Sequence, residues 1–97
     1  MGLVDLIVNS GIAAAIASLP DAIRGNRDAV AEVITNNVRS RIMREHLHDP
    51  AFYDRMSVLL AEVLADLKAR RIDYEEFLKR MAAIAAQVRA GQAEDTP

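Results

Sequence analysis

Four side chains that can bind a metal ion occupy one short stretch of the chain: Glu45, His46, His48 and Asp49. Imidazole and carboxylate groups are common metal ligands, but a metal site needs ligands that converge on one point and are oriented by further hydrogen bonds. Four neighbours in a connecting segment seldom converge. We therefore interpret this stretch as a solvated helix end, where the helix dipole favours a protonated histidine, and we predict no metal ligand.

A pattern of acidic residues and lysine resembles the metal-binding motif of some nucleases. Pro20-Asp21 is followed far downstream by Asp66-Leu67-Lys68. Residues two apart share a face of a β-strand, but they lie about 200° apart on a helix. Because Leu67 belongs to the apolar stripe of the most regular predicted helix, Asp66 and Lys68 flank that stripe on opposite sides. We conclude that the pattern is accidental.

The sequence supports neither nucleophilic catalysis nor phosphate binding. There is no cysteine in the chain, which excludes disulfides, thiolate metal sites and cysteine nucleophiles. The serines lack the glycine-flanked nucleophile motif, and neither type of glycine-rich phosphate loop is present. We predict that this chain has no catalytic residue, binds no cofactor and is not an enzyme.

Arginine is concentrated locally. Arg39, Arg41 and Arg44 lie on one predicted helix, with Arg24 and Arg27 upstream. The net charge of -2 gives no overall basic field, so binding to DNA or to an anionic membrane would depend on this local cluster. It is either a solvated helix face with salt bridges or a surface that contacts DNA phosphates or an acidic partner. No interleaved aromatic residues support nucleic-acid binding.

Length and composition predict a single all-α domain spanning residues 1–97. The chain has 97 residues, of which 52% are apolar and only 4% aromatic, and this composition favours helix over sheet. The apolar spacing predicts a small bundle of about four helices, with the last two packed as an antiparallel hairpin. The predicted helices cover residues 3–18, 27–46, 50–71 and 73–90, followed by a frayed tail over 92–97.

The first predicted helix is the least polar part of the chain. No Lys or Arg precedes Arg24 to form the basic start of a signal peptide, and Asp5 and Asn9 interrupt the apolar run. We therefore predict no association with a membrane. Three further helices can cover only part of this apolar surface, so we predict that the first helix is prone to interactions, with Leu6 and Ile12 in the interface. Self-association through it is one form of this hypothesis.

Two polar residues interrupt the apolar stripe of the second predicted helix. At 100° per residue, Asn37 and Arg41 fall inside the stripe, while Arg39 points to the opposite side. Buried polar groups need hydrogen-bond partners. We therefore predict that Asn37 and Arg41 are more buried than ordinary surface polar residues, and that they belong to an interface with Arg39 and Arg44.

Three segments occur in a recognisable order: NNVRSRI at 36–42, DPAFYDRMS at 49–57 and IDYEEFL at 72–78. This series resembles the C-terminal helical domain of the restriction (R) subunit of type I restriction-modification enzymes, over roughly residues 19–90. The resemblance implies that the residues for DNA cleavage and ATP hydrolysis lie in other domains. It also implies a cytoplasmic location, with the motor domains of the same subunit and the methyltransferase and specificity subunits as partners, and DNA contacted only indirectly or weakly.

The sequence therefore predicts a non-catalytic docking and assembly domain. Two alternatives remain. One is a DNA-contacting module that uses the arginine-rich second helix, and a steep salt dependence of DNA affinity would support it. The other is a free-standing helical regulator that forms a homodimer through the apolar first helix. The reading frame upstream of the chain distinguishes this last alternative from a domain of a longer subunit. A long upstream frame with nuclease and motor motifs would support the domain, and a stop codon before Met1 would oppose it.

Overall fold

The computed structural model describes residues 2–91, which form six α-helices and one 3-10 turn and contain no strand. The helices are α1 (Leu3–Ser10), α2 (Ile12–Ala17), α3 (Asp21–Arg24), α4 (Arg27–Glu45), α5 (Pro50–Lys68) and α6 (Tyr74–Ala90), and the 3-10 turn spans His46–His48. The expectation of an all-α chain is confirmed for these residues. The predicted frayed tail over 92–97 lies outside the described residues.

The single helix predicted over residues 3–18 is instead two helices, α1 and α2. Gly11 separates them with φ 93° and ψ 158°, a conformation that is essentially restricted to glycine. The Gly11 N–H still donates to the Ile7 carbonyl at 2.9 Å, and the Gly11 carbonyl accepts from the Ala15 N–H at 3.2 Å. The Gly11 N–H therefore makes the last hydrogen bond of α1, and the Gly11 carbonyl accepts the first hydrogen bond of α2. This break and the short helix α3 account for six helices where about four were predicted.

Helix α5 ends at Lys68, three residues before the predicted boundary at residue 71. Arg70 adopts the left-handed conformation, with φ 61°. The Arg71 N–H donates to the Asp66 carbonyl at 2.9 Å, and the Arg70 N–H donates to the Leu67 carbonyl at 3.1 Å. These bonds form a Schellman motif, in which the left-handed position is usually occupied by glycine.

The other helix boundaries follow their capping residues. Asn26 caps α4 by accepting from the Ala29 N–H at 3.1 Å, and α4 ends one residue before the predicted end at 46. Asp73 caps α6, which therefore begins at residue 74 and not at 73. The segment that connects α4 to α5 begins with the 3-10 turn, and the Asp49 side chain caps α5.

The core lies between α4 and α6, which contact each other, and α1 and α5 each pack on both of them. The buried side chains of these two central helices include Val30, Ile34, Val38 and Ile42 from α4 and Phe77, Met81, Ile84, Ala85 and Val88 from α6. The start of α5 lies beside the end of α6, where the Tyr53 hydroxyl donates to the Val88 carbonyl at 3.4 Å. Burying one large apolar side chain contributes roughly 1.5–3 kcal/mol, so these two faces supply a large part of the folding free energy.

The apolar first segment contributes to this core. Its buried side chains are Val4, Ile7 and Ala15. Leu6 and Ile12, which we expected at an interface, are half-buried and pack against the core. Among the large apolar side chains of α1 and α2, only Val8 is exposed, at 37%. Helix α1 packs on both α4 and α6, so most of its apolar surface is covered within residues 2–91. That the first helix is prone to interactions with another chain stays a prediction.

Every helix formed by residues 2–91 is too short or too polar to cross a lipid bilayer.

Substitution of Gly11 by alanine is expected to destabilise the fold by about 1–3 kcal/mol, because an L-residue is strained at this backbone conformation. No heavy atom lies within 4 Å of an added Cβ at Gly11, so the cost comes from the backbone alone. The matched control is Gly25→Ala, where φ is -82° and an added Cβ meets nothing closer than 3.8 Å. In urea unfolding, the midpoint should be lower for Gly11→Ala than for the unaltered chain, and it should be unchanged for Gly25→Ala. Equal midpoints for the two variants would contradict this account.

Candidate functional site

A half-buried ion-pair network joins α1, α4 and α6 through one carboxylate. Asp5 Oδ1 lies 3.5 Å from Arg41 Nη1 and 3.5 Å from Arg89 Nε. The side chains of Asp5 and Arg41 are only 28% and 19% exposed. Arg89 also donates from Nη1 to Asn9 Oδ1 on α1. Arg41, a predicted interface residue, is therefore held within the chain as a contact between helices.

Asn37, the second polar residue of the α4 stripe, also finds its partner inside the chain. It is half-buried, and its Nδ2 donates to the Val33 carbonyl one turn earlier at 2.8 Å. One N–H of the Asn37 side-chain amide is therefore paired with a carbonyl of its own helix, α4. Asn37 and Arg41 are one helical turn apart, so they lie on the same edge of α4, and this edge faces the start of α1.

A groove of about 600 Å³ lies along this edge, between the start of α1 and the second half of α4. Its lining residues are Gly2, Leu3, Val4, Asn37, Ser40, Arg41, Met43 and Arg44. Two of these carry guanidinium groups, and within this lining none carries a carboxylate. Met43 is 72% exposed, and Ser40 and Arg44 are also exposed. The groove brings together three of the predicted interface residues: Asn37, Arg41 and Arg44.

Arg39 does not join this groove. It is exposed, and its Nη1 donates to Asn36 Oδ1 at 2.8 Å. Upstream, Arg24 pairs with Asp21, and the Arg27 guanidinium lies 5.0 Å from the ring centre of Tyr74. Arg41 and Arg44 line the same groove, but the other three of these five arginines have different surroundings, so the five do not form one basic surface.

The two histidines of the segment between α4 and α5 have separate partners. His46 Nε2 lies 2.8 Å from Asp54 Oδ1, and His48 Nδ1 lies 3.7 Å from Glu45 Oε2. Within residues 2–91, no three His, Cys, Asp or Glu side chains are grouped closely enough to hold a metal ion. His46 therefore contacts α5, and His48 contacts the last residue of α4.

The residues of the nuclease-like pattern are also engaged separately. Asp21 pairs with Arg24, while Asp66 pairs with Arg71 at 3.2 Å and with Arg80 at 3.8 Å. Lys68 pairs with Glu32 on α4 at 3.1 Å. Asp66 and Lys68 therefore have different partners on different helices, as expected for two residues on opposite sides of the α5 stripe.

A second groove, of about 850 Å³, was not predicted from the sequence. It lies between the start of α4 and the turn that joins α5 to α6, and its basic lining residues are Arg27, Lys68, Arg70 and Arg71. Lys68 and Arg71 are neutralised by the ion pairs just described, and Asp28 and Asp73 also line the groove. The feature of the sequence that could have indicated this groove is the pair of adjacent arginines, Arg70 and Arg71, just after α5.

Both tyrosines are protonated at neutral pH. Burial raises the pKa of Tyr53 above its ordinary value of 10.0; the negative charge of Glu45 raises it further, while Arg41 opposes the rise. Burial also raises the pKa of Tyr74, against the opposing effect of Arg27. Since both pKa values are higher in the folded chain, the stability from these groups is complete below pH 10 and is lost as the pH rises through the folded pKa values. Neither tyrosine is a candidate acid–base group near pH 7.

Comparison of the chain with known proteins finds no matching family model, no matching curated protein and no matching solved structure. The three segments that carry the resemblance to type I restriction subunits lie on separate helices. Residues 36–42 are in α4, residues 49–57 cap and begin α5, and residues 72–78 precede and begin α6.

Replacing Asp5 with asparagine should destabilise the chain by about 1 kcal/mol at low salt, because Arg41 and Arg89 lose their shared carboxylate. Thermal unfolding at low and at 1 M salt measures the effect, which should shrink at high salt. The control is Glu62→Gln, which removes an exposed carboxylate that has no ion-pair partner among residues 2–91. An Asp5→Asn variant as stable as this control would show that the network contributes nothing.

Proposed function

We propose that this chain is a non-catalytic docking and assembly domain, similar to the C-terminal helical domain of type I restriction subunits. In this proposal it acts in the cytoplasm and binds the motor domains of its own subunit and the methyltransferase and specificity subunits. The support is the ordered series of three segments together with a surface suited to another protein chain. The chain itself binds no cofactor and catalyses no reaction.

The groove between α1 and α4 is the observation that carries this proposal. Met43 is an exposed apolar side chain beside the exposed guanidinium of Arg44, and Ser40 and Asn37 add hydrogen-bonding groups. Methionine and arginine are enriched at protein interfaces, where they supply adaptable apolar area and directed hydrogen bonds. Because carboxylates are missing from this lining, the groove suits a partner segment that presents acidic or carbonyl oxygens around an apolar side chain.

We further propose that α5 and α6 form an antiparallel hairpin that holds α4 in place from behind. The contact between Tyr53 and the Val88 carbonyl near one end supports this, as does the ion pair between Asp66 and Arg80 further along. A rigid pair of helices behind α4 would keep the groove in one geometry before a partner binds. Preorganisation of this kind reduces the entropic cost of docking.

The arrangement of the arginines favours protein docking over DNA binding. Arg41 is neutralised by Asp5, and Arg39 and Arg44 lie about 140° apart around the axis of α4. Few phosphates could then be contacted at once. We expect only weak binding to duplex DNA, with a shallow salt dependence, because each neutralised phosphate adds to the salt slope.

The docking proposal is tested by a pull-down with the restriction and methyltransferase subunits encoded beside this chain. The double variant Met43→Asp and Arg44→Glu should bind at least about tenfold more weakly, because it removes an apolar contact and reverses a charge at the groove. The folded state of each variant is checked by circular dichroism. Activity assays with ATP and magnesium on the isolated chain should show neither DNA cleavage nor ATP hydrolysis.

The matched control is Leu47→Asp, which changes an exposed apolar residue of the 3-10 turn that does not line the groove. This control should bind like the unaltered chain. The proposal is wrong if the unaltered chain binds none of these subunits, if no such subunits are encoded beside it, or if the groove variant binds as tightly as the control.

A further inference from the structure

The outer face of α5 carries two adjacent exposed apolar side chains. Val58 is 58% exposed and Leu59 is 38% exposed, at the middle of a 19-residue helix. The inner face of α5 packs on α4 and α6 through buried residues such as Phe52, Met56 and Leu60. Exposed apolar side chains that lie together and are rimmed by polar residues can mark a protein–protein contact.

Two unpaired charges flank these apolar residues symmetrically. Arg55 stands three residues before Val58, and Glu62 stands three residues after Leu59. Both are exposed, and neither has an ion-pair partner among residues 2–91. At 100° per residue, all four side chains fall within an arc of about 100°, so they share one face of α5. We call these four residues the α5 outer face.

The spacing makes the α5 outer face complementary to itself. When two copies of α5 lie antiparallel with a two-fold axis between Val58 and Leu59, residues at equal distances from that axis face each other. Arg55 then faces Glu62 of the second copy, and Glu62 faces Arg55 of the second copy. Val58 meets Leu59 of the second copy at the centre. Every charge on the face thus meets an opposite charge, and every apolar residue meets an apolar residue.

We propose that the α5 outer face binds a second copy of this chain, with the two α5 helices antiparallel. This surface is separate from the groove between α1 and α4, so the inference goes beyond the docking function and does not depend on it. Acidic partners and nucleic acids each match only one of the two charges. A second copy matches both.

The dimer should be weak. Helix α5 has 19 residues and is therefore about 28 Å long, and a contact one helix wide is smaller than the roughly 800 Å² per partner of a standard interface. We therefore expect association at a chain concentration on the order of 0.1–1 mM. In a larger assembly that holds two copies of the chain close together, the higher local concentration would favour this contact.

Sedimentation equilibrium of the full chain at increasing concentration tests the proposal through charge reversal. Arg55→Glu alone and Glu62→Arg alone each place like charges opposite each other twice in the dimer, and each should weaken association by about tenfold. The double variant Arg55→Glu and Glu62→Arg restores opposite charges and should recover association close to that of the unaltered chain. This recovery distinguishes a direct contact from a general effect of charge.

Two controls define the outcome. Lys79→Glu reverses an exposed charge on α6 and should leave association unchanged. Val8→Asp removes the exposed apolar residue of α1, and it should also leave association unchanged.

The proposal is overturned if the chain stays monomeric up to about 1 mM, if the single reversals have no effect, or if the double variant fails to recover. It is equally overturned if Val8→Asp abolishes association, because the contact would then involve α1. A failed pull-down in the docking experiment leaves this result unaffected, since different residues are changed.

Discussion

The packing of α4 on α6 is the interaction on which the rest of the fold depends. Ile34 and Val38 from α4 and Phe77 and Met81 from α6 are all fully buried. Because α1 and α5 each pack on both central helices, neither can keep its position if α4 and α6 separate. The positions of both outer helices therefore depend on this central contact, and the surfaces that remain exposed are those that this arrangement leaves uncovered.

Asp5 connects this core to the candidate docking surface. Its carboxylate holds Arg41 of α4 and Arg89 of α6, so α1 is fixed across the junction of the two central helices. Exposed pairs contribute little, but a shared, half-buried carboxylate adds directional contacts to the burial of Val4 and Ile7. With α1 fixed in this way, its start forms one wall of the groove that α4 completes. The groove is therefore a consequence of the core and requires no separate loop.

Local signals in the sequence predict much of the fold, and long-range contacts account for the rest. The starts of α5 and α6 follow from the N-caps Asp49 and Asp73, and the apolar periodicity predicts which faces are buried. The break at Gly11 was not predicted, because a helix tolerates one glycine and only packing decides whether it bends there. Similarly, Thr35 is fully buried with no hydrogen-bond partner among residues 2–91, which no local pattern indicates. The burial of Arg41 followed from its place in the α4 stripe, but its partner Asp5 is far away in sequence and could not be deduced.

The central claim is that α1 is an integral part of the core and that the groove it forms is preorganised. Amide hydrogen exchange of the free chain measures this directly, because local opening of α1 would expose its amides without unfolding α4 and α6. The account predicts that the amides of residues 6–10 in α1 exchange within about tenfold of the slowest amides in α6. Rapid exchange of α1 while α4 and α6 remain protected would contradict the account, since α1 would then open independently of the core.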